Sequence, residues 1–379
     1  MHRLIKDDAF VYKWLFCYIS FMFYNMLLVN EMENKTNIDI LVKRKEVESQ
    51  GVHTATQSLI TLLNDQGKDK YNVSICKNYK KSNLVIATAI YPKFYIKLKK
   101  KKKTIAMVHF LPDTLDGSIK LPKFALNIFK RYVMSFYRKA HDLVTVNPYY
   151  VQKLIDLGFD KYHVHSVPNF VSNKKFYPLS VPEKLNSRKK YGIPENSFVV
   201  MGCGQTQTRK GVRDFLAVAE DNPDMTFVWV GGFTFGKITE GYKSLKKMIS
   251  NPPPNVKFLG IIPNEEMNSI YNCADILFMP SYDELFPMTI LEASNVNIPI
   301  LVRDLPLYNP VLFDKVLRGN NNLEFSSILK ELVKNPIKRA EAIIKSTELA
   351  EMYTADKVYS QWDELIDKLI DDGKEKKRD

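Results

Sequence analysis

Cysteine is scarce. The 379 residues hold four, Cys17, Cys76, Cys203 and Cys273, with no C-x-x-C spacing among them. That excludes a disulfide scaffold and a cysteine-zinc module, and it fits a reducing cytosol. No Asp-x-Asp motif and no His/Cys cluster stands out, so the sequence asks for no metal or other cofactor. No repeat of about 20–50 residues is visible, which sets aside solenoids and propellers. Long apolar runs are missing too. Trp14–Val29 carries no charge but is only 16 residues long, against the roughly 20 that a spanning helix needs.

No small-residue cleavage site follows that run, so a secretory signal is a poor reading. Arg3, Lys6 and Lys13 precede it and would hold the N-terminus in the cytosol. Three readings of residues 1–31 stand: an in-plane or re-entrant anchor, an upstream extension with translation starting at Met26 or Met32, or a single span. The first convincing strand, Ile38–Val42, begins only after Met32.

What is present is a chain able to build cores, with 45% hydrophobic and 26% charged residues. Its length suggests two or three domains. The net charge of +13 is lopsided: residues 1–175 hold 29 Lys and Arg against 14 Asp and Glu, a net +15, and the remainder nets −2. Excess charge confined to one half points to an anionic partner for that half: nucleic acid, a membrane surface or a phosphorylated substrate.

Short β-branched runs alternate with amphipathic stretches. Strands are predicted at Ile38–Val42, Leu84–Ala89, Thr104–Val108, Leu143–Val146, Val164–Val167, Phe198–Gly202, Thr226–Val230, Lys257–Leu259, Ile276–Met279 and Ile300–Val302. Runs of this kind, alternating with helices, read as parallel sheets buried on both faces. Pro168, Pro178, Pro182 and Pro194 punctuate a stretch without a long apolar run. The predicted order is therefore an extension (1–31), an N-terminal Rossmann-like domain (32–170), a linker (171–196), a second Rossmann-like domain (197–354) and a C-terminal helix with a polar tail (355–379). Two such domains face each other across a cleft at the carboxyl ends of their strands, where ligands bind.

Two segments carry chemistry. Phe198–Gly202 runs into Gly204-Gln205-Thr206-Gln207-Thr208-Arg209-Lys210-Gly211 and then a helix. Adjacent cations at a helix start suit a phosphate. This is neither a Walker A loop nor a G-x-G-x-x-G turn, which weighs against a kinase or dehydrogenase. Ile276–Met279 runs into Pro280-Ser281-Tyr282-Asp283-Glu284-Leu285-Phe286-Pro287-Met288-Thr289, with Glu292 on the helix that follows. A loop carboxylate can bind sugar hydroxyls, a helical one can accept from a ribose diol, and free N–H groups at the helix start can hold a diphosphate.

With VPNFVSNKKFYP (167–178), GQTQTRKGV, FVWVGG (227–232), VKFLG (256–260), YNCADILFMPSYDELFPMTILEA (271–293) and IPILVRD (298–304) in order, the chain resembles a retaining glycosyltransferase of family 4, with the GT-B fold. It is most similar there to bacterial synthases that add a second sugar to α-monoglucosyl-diacylglycerol. The resemblance implies a UDP-sugar donor, UDP-glucose in preference to UDP-galactose, and a glycolipid acceptor, with a polyprenyl-linked sugar or a polysaccharide as the alternative acceptor. It implies that Lys210, aided by Arg209, neutralises the leaving diphosphate and that Glu284 contacts the donor sugar. Glu292 would hold the ribose, and the backbone of Phe286, Pro287, Met288 and Thr289 would line the diphosphate. Gly204, Gln205 and Gly260 would border the nucleotide, with uracil near Gly260. Gly51 would allow close approach of the donor phosphate, and His109, at a strand end, would stand beside donor and acceptor. Many members have Gly at Leu285, and Arg is frequent at Gln205.

In the basic half, Lys99, Lys100, Lys101, Lys102 and Lys103 form a run. Residues 120–140 then interleave Lys123, Lys130, Arg131 and Arg138 with Phe124 and Phe129. A basic helix with a bulky apolar face suits an anionic membrane surface; it would equally serve as a core helix with a solvated basic side. The expected location is peripheral, on the cytoplasmic face of the cell membrane. A basic nucleic-acid-binding α/β protein is the rival class, but it leaves Glu284 and Glu292 unexplained, and nucleic acid is not expected as a partner. The oligomeric state is left open.

Overall fold

The computed structural model describes residues 35–42, 51–99, 103–112, 122–233, 236 and 239–375. Residues 1–34, Lys100–Lys102 and the side chain of Lys123 lie outside them, and with them the expectations placed there. Among the described residues twelve strands form two all-parallel six-stranded sheets. The first contains β1 (Thr36–Leu41), β2 (Tyr71–Ile75), β3 (Leu84–Ala87), β4 (Thr104–Val108), β5 (Asp142–Thr145) and β6 (Val164–Ser166), in the order β2-β1-β3-β4-β5-β6. The second contains β7 (Val199–Cys203), β8 (Thr226–Val230), β9 (Val256–Gly260), β10 (Ile276–Met279), β11 (Ile300–Arg303) and β12 (Leu317–Gly319), in the order β12-β11-β10-β7-β8-β9. This is the expected pair of Rossmann-like units, and it supplies two edge strands, β2 and β12, that the sequence did not announce.

Helices cover both faces, as parallel sheets require. They are α1 (Gly51–Asp65), α2 (Pro92–Lys99), α3 (Lys123–Tyr137), α4 (Tyr149–Asp156), α5 (Val181–Lys190), α6 (Val212–Glu220), α7 (Tyr242–Ser250), α8 (Met267–Cys273), α9 (Met288–Asn295), α10 (Asn309–Leu312), α11 (Asn322–Lys334), α12 (Pro336–Met352) and α13 (Ala355–Glu375). Central strands such as β3, β4, β7 and β8 are buried at every position. Their β-branched and aromatic side chains meet a helix layer whichever way they point.

The expected linker is not a free tether. Its α5 opens with a capping box, Ser180 with Glu183, and Val171, Phe176 and Ile193 join the core of the second unit. Arg188, buried, donates to the carbonyls of Cys273, Glu195 and Ser197 and pairs with Asp275 at 2.8 Å. Those bonds satisfy a buried guanidinium that would otherwise be costly. The expected terminal helix is present, and the sequence did not say where it packs. α13 crosses back to the first unit, where Val358, Trp362, Leu365, Ile366 and Leu369 pack with Ile38, Ile40 and Leu63. Asp363 accepts from Lys70 and Tyr71, and Lys103 turns its ammonium onto the Leu369 and Ile370 carbonyls. Among the described residues no helix is long and apolar enough to cross a membrane.

Candidate active site

In the second sheet β7 lies between β10 and β8, so the loops leaving β7 and β10 emerge at the switch point of the topology. Gly211 brings these loops together. Its φ is +70°, and a Cβ there would lie 2.3 Å from the Pro280 carbonyl oxygen; only glycine permits so close an approach. The Tyr282 N–H donates to the Arg209 carbonyl across the same seam. Lys210 Nζ then stands 2.5 Å from Glu284 Oε1, and Arg209 Nη1 stands 3.7 Å from Glu284 Oε2 while also donating to the Asp283 carbonyl.

Burial alone would raise the Glu284 carboxyl; Lys210 and Arg209 outweigh it and hold it below its ordinary value. The loop therefore carries an ionised carboxylate with two cations on it, although burial pulls the Lys210 ammonium below its ordinary value against the opposing charge of Glu284. Removing such charges from water is expensive, and a hydrophobic replacement would serve stability as well. On the wall of an open cleft, the arrangement instead gives an arriving anion two cations already in position.

α9 begins at Met288, after Pro287, with no capping side chain. Its first N–H groups are thus unused by side chains, and Pro287, Met288 and Thr289 border the cleft. One turn on, Glu292 is buried and accepts from Tyr271 at 2.7 Å. Burial raises its carboxyl, with Tyr271 opposing. Cys203 beside it has a thiol pushed up to about 12 by burial and by the Glu292 charge, so it is no nucleophile at neutral pH.

The first unit faces this wall with neutral groups. His109 follows β4, is half-buried, hydrogen-bonds the Thr88 backbone and leaves its enclosed Nε2 without a partner. Burial pushes it down to about 4, so it is a neutral imidazole at pH 7. A Cβ at Gly51 would meet nothing within 4 Å, so the glycine keeps open space at the start of α1. Three further residues clasp the Glu284 loop from across the cleft. Tyr150 donates to the Glu284 carbonyl at 2.9 Å, Asn147 to the Leu285 and Leu307 carbonyls at 2.6 and 2.8 Å, and Asn169 to the Phe286 carbonyl at 2.9 Å.

One cleft of about 880 Å³ collects most of the expected residues: Gly51, His109, Gly204, Gln205, Arg209, Lys210, Glu284, Phe286, Pro287, Met288, Thr289 and Glu292. Gly260 does not line it. Its carbonyl accepts from Gly231, and its neighbours Ile261 and Ile262 form the wall instead.

The basic helix is split in use. On α3, Val133, Phe136 and Tyr137 are core, whereas Phe124 and Ile128 are 70% and 64% exposed and Arg131 and Arg138 are exposed with them. Phe129, expected at the membrane, is half-buried and faces the cleft beside Tyr132. Lys103, also expected there, is held by α13 as described, whereas Lys99 is exposed and Lys130 half-buried.

Asn147, Tyr150 and Tyr271 were not singled out from the sequence. Asn147 carries a usable signal, a polar residue right after an apolar strand at its carboxyl end. Asn169 lay inside the VPNFV stretch without being assigned a role.

Comparison with known proteins agrees with this geometry. The family described as "Glycosyl transferases group 1" matches residues 183–349. The chain is 37% identical over 346 residues to an alpha-galactosylglucosyldiacylglycerol synthase of Streptococcus pneumoniae, covering 91% of this chain and 92% of that one. It is 28% identical over 239 residues to a processive diacylglycerol alpha-glucosyltransferase of Acholeplasma laidlawii, covering 62% and 71%. The fold matches the crystal structure of Anabaena HepE in complex with UDP and glucose, with a TM-score of 0.70 at 16% identity over 87% of this chain and 99% of that one. Site, fold and sequence converge: the chain belongs to the group 1 glycosyl transferases and is a GT-B glycosyltransferase.

Proposed function

We propose that the enzyme moves a hexose from a UDP-sugar to a glucosyl-diacylglycerol in the membrane, with retention at the transferred carbon. The observation that carries this is the pair of half-buried Lys210 and buried Glu284 with Arg209, lining one cleft with an uncapped helix start and His109. The bond from the sugar C1 to the diphosphate oxygen breaks as the acceptor hydroxyl oxygen bonds to C1 from the same face. The acceptor proton passes to the departing diphosphate. Lys210, Arg209 and the N–H groups of Met288 and Thr289 stabilise the negative charge that develops there. Glu284 orients the sugar hydroxyls, Glu292 takes the ribose, and the free Nε2 of His109 accepts from a sugar hydroxyl. Closure of the two units sets acceptor against donor. The chain's own cations serve the leaving group, and no metal is assigned to this step.

Between the two hexoses, the name of the Streptococcus pneumoniae relative favours galactose over the glucose preferred from the sequence. A lipid acceptor accords with α3. Phe124, Ile128, Arg131 and Arg138 fall on one exposed stripe at helical spacing, and Phe129 and Tyr132 continue the apolar surface into the cleft. Each cation at an anionic surface contributes about 1 kcal/mol, so we place the enzyme peripherally on the cytoplasmic leaflet. The test supplies radiolabelled UDP-galactose or UDP-glucose with monoglucosyl-diacylglycerol in mixed micelles. Labelled diglycosyl lipid with an α-linkage is expected from one donor. No labelled lipid from either, or a β-linkage, overturns the reading.

A further inference from the structure

Three of the chain's six histidines converge on one carboxylate far from the cleft. Asp142 opens β5 and is buried. The parallel register pairs Leu143 with Val164 and Val144 with His165. Carried back one residue, it sets His163 across from Asp142. Alternation along a strand turns His163 and His165 to the face that Asp142 occupies. His141 comes just before the strand, its N–H fixed on the Thr104 carbonyl. As a result His141 Nδ1 lies 2.5 Å from Asp142 Oδ2, while His163 Nδ1 and His165 Nε2 lie 3.1 and 2.9 Å from Oδ1.

The His141 and His163 rings meet edge to face with centroids 4.5 Å apart. The ligating atoms of His141, Asp142 and His163 all fall within 4.8 Å of one another. Burial would raise Asp142, but the bonds from His165, His141 and His163 outweigh it and keep the carboxylate ionised. Two imidazole nitrogens and a carboxylate oxygen form the donor set of a borderline divalent cation. Tetrahedral zinc takes such ligands at about 2.0–2.2 Å, hence about 3.3 Å from each other. Shifts of under roughly 1 Å would meet that geometry. His165, bonded to the same carboxylate, orients it as partners behind metal ligands do.

We propose that His141, Asp142 and His163, with His165 orienting the carboxylate, bind a zinc-class divalent cation that ties the start of β5 to the start of β6. The site is structural. It stands at the amino ends of the strands, opposite the cleft, and none of its residues lines the cleft. It is independent of the transfer chemistry. The sequence hid it because its two halves, His141-Asp142 and His163-x-His165, stand 21 residues apart at their nearest and only the register unites them.

The test uses the full chain without an added histidine tag, stripped with EDTA and titrated with cobalt(II) chloride. The expected result is the visible absorption of four-coordinate cobalt, saturating at one equivalent and bleached by zinc chloride, with no response to magnesium. The double variant His141→Gln/His163→Gln keeps hydrogen bonds to Asp142, and circular dichroism checks its fold. It should lose the absorption, and His165→Gln should weaken it roughly 10–100-fold. Absence of the band in the parent chain, or an equal band in the folded double variant, overturns the proposal.

Discussion

The two units wind six parallel strands each, but the loops at their carboxyl ends are made of different chemistry. The second unit, net acidic as a half, brings Arg209, Lys210, Glu284 and Glu292 into the cleft. The first half carries the entire basic excess, and yet none of its described Lys, Arg, Asp or Glu residues lines the cleft. It contributes His109, Asn169, Phe129, Tyr132 and glycine instead. Net charge and site charge are thus separate quantities. The first concerns the surface that meets an outside partner, and the second is set by a few buried groups that loops press together.

The sharpest way to break that contrast is to remove a charge from the second unit. Lys210→Ala should lower kcat by roughly 10²–10³-fold, the scale of losing a placed stabiliser of developing charge, while circular dichroism stays that of the parent. Turnover near the parent level would end the assignment. Next is a neutral residue of the first unit. Asn147→Ala leaves two carbonyls of the donor side, Leu285 and Leu307, without their clasp. A fall of roughly tenfold in kcat/KM is expected, with a higher KM for the nucleotide sugar. An unchanged KM would mean that the first unit does not shape the donor loop.

A third measurement separates neutral from charged groups by pH. His109 in the fold is pushed down to about 4 from 6.5, so the unfolded chain takes up its proton first as the pH falls. The stability that His109 contributes is complete above pH 6.5 and is lost as the pH drops towards 4. Between pH 8 and 5 the parent should lose about 2 kcal/mol more than His109→Gln in urea unfolding. Equal losses would show a solvated, protonatable imidazole. The smallest effect concerns the outer stripe. Phe124→Ala with Ile128→Ala should cut activity on anionic vesicles roughly fivefold and leave micelle activity unchanged. Equal activity of the parent on charge-neutral vesicles would remove the membrane argument.

Central strands were legible because their runs are apolar on both faces. β2 (YNVSI) and β12 (LRG) were not, since edge strands are short and half solvated and so tolerate Asn, Ser, Arg and Gly. The Lys210 and Glu284 loops were legible because each follows a strong strand directly. The clasp by Asn147, Tyr150 and Asn169 was not, because it joins side chains to carbonyls more than a hundred residues away, and no local pattern encodes such a partner. Phe129 and Lys103 were misplaced for a related reason: composition identifies a basic, apolar helix and a lysine run but not which side faces inward.

The return of α13 to the first unit has a consequence for how the protein is made. Trp362, Ile366 and Leu369 complete a core whose other members lie in β1, β3, β4 and α1. About 190 residues separate the end of β6 from the start of α13. At typical synthesis rates the ribosome needs on the order of 10–40 s to cover that gap. Throughout that interval the first sheet lacks this part of its core, while the second unit emerges and receives the last members of its own core, Leu349 and Tyr353, just before α13 begins. The half that emerges first is the half that finishes last, and truncation of the final twenty residues would unseat the beginning of the chain.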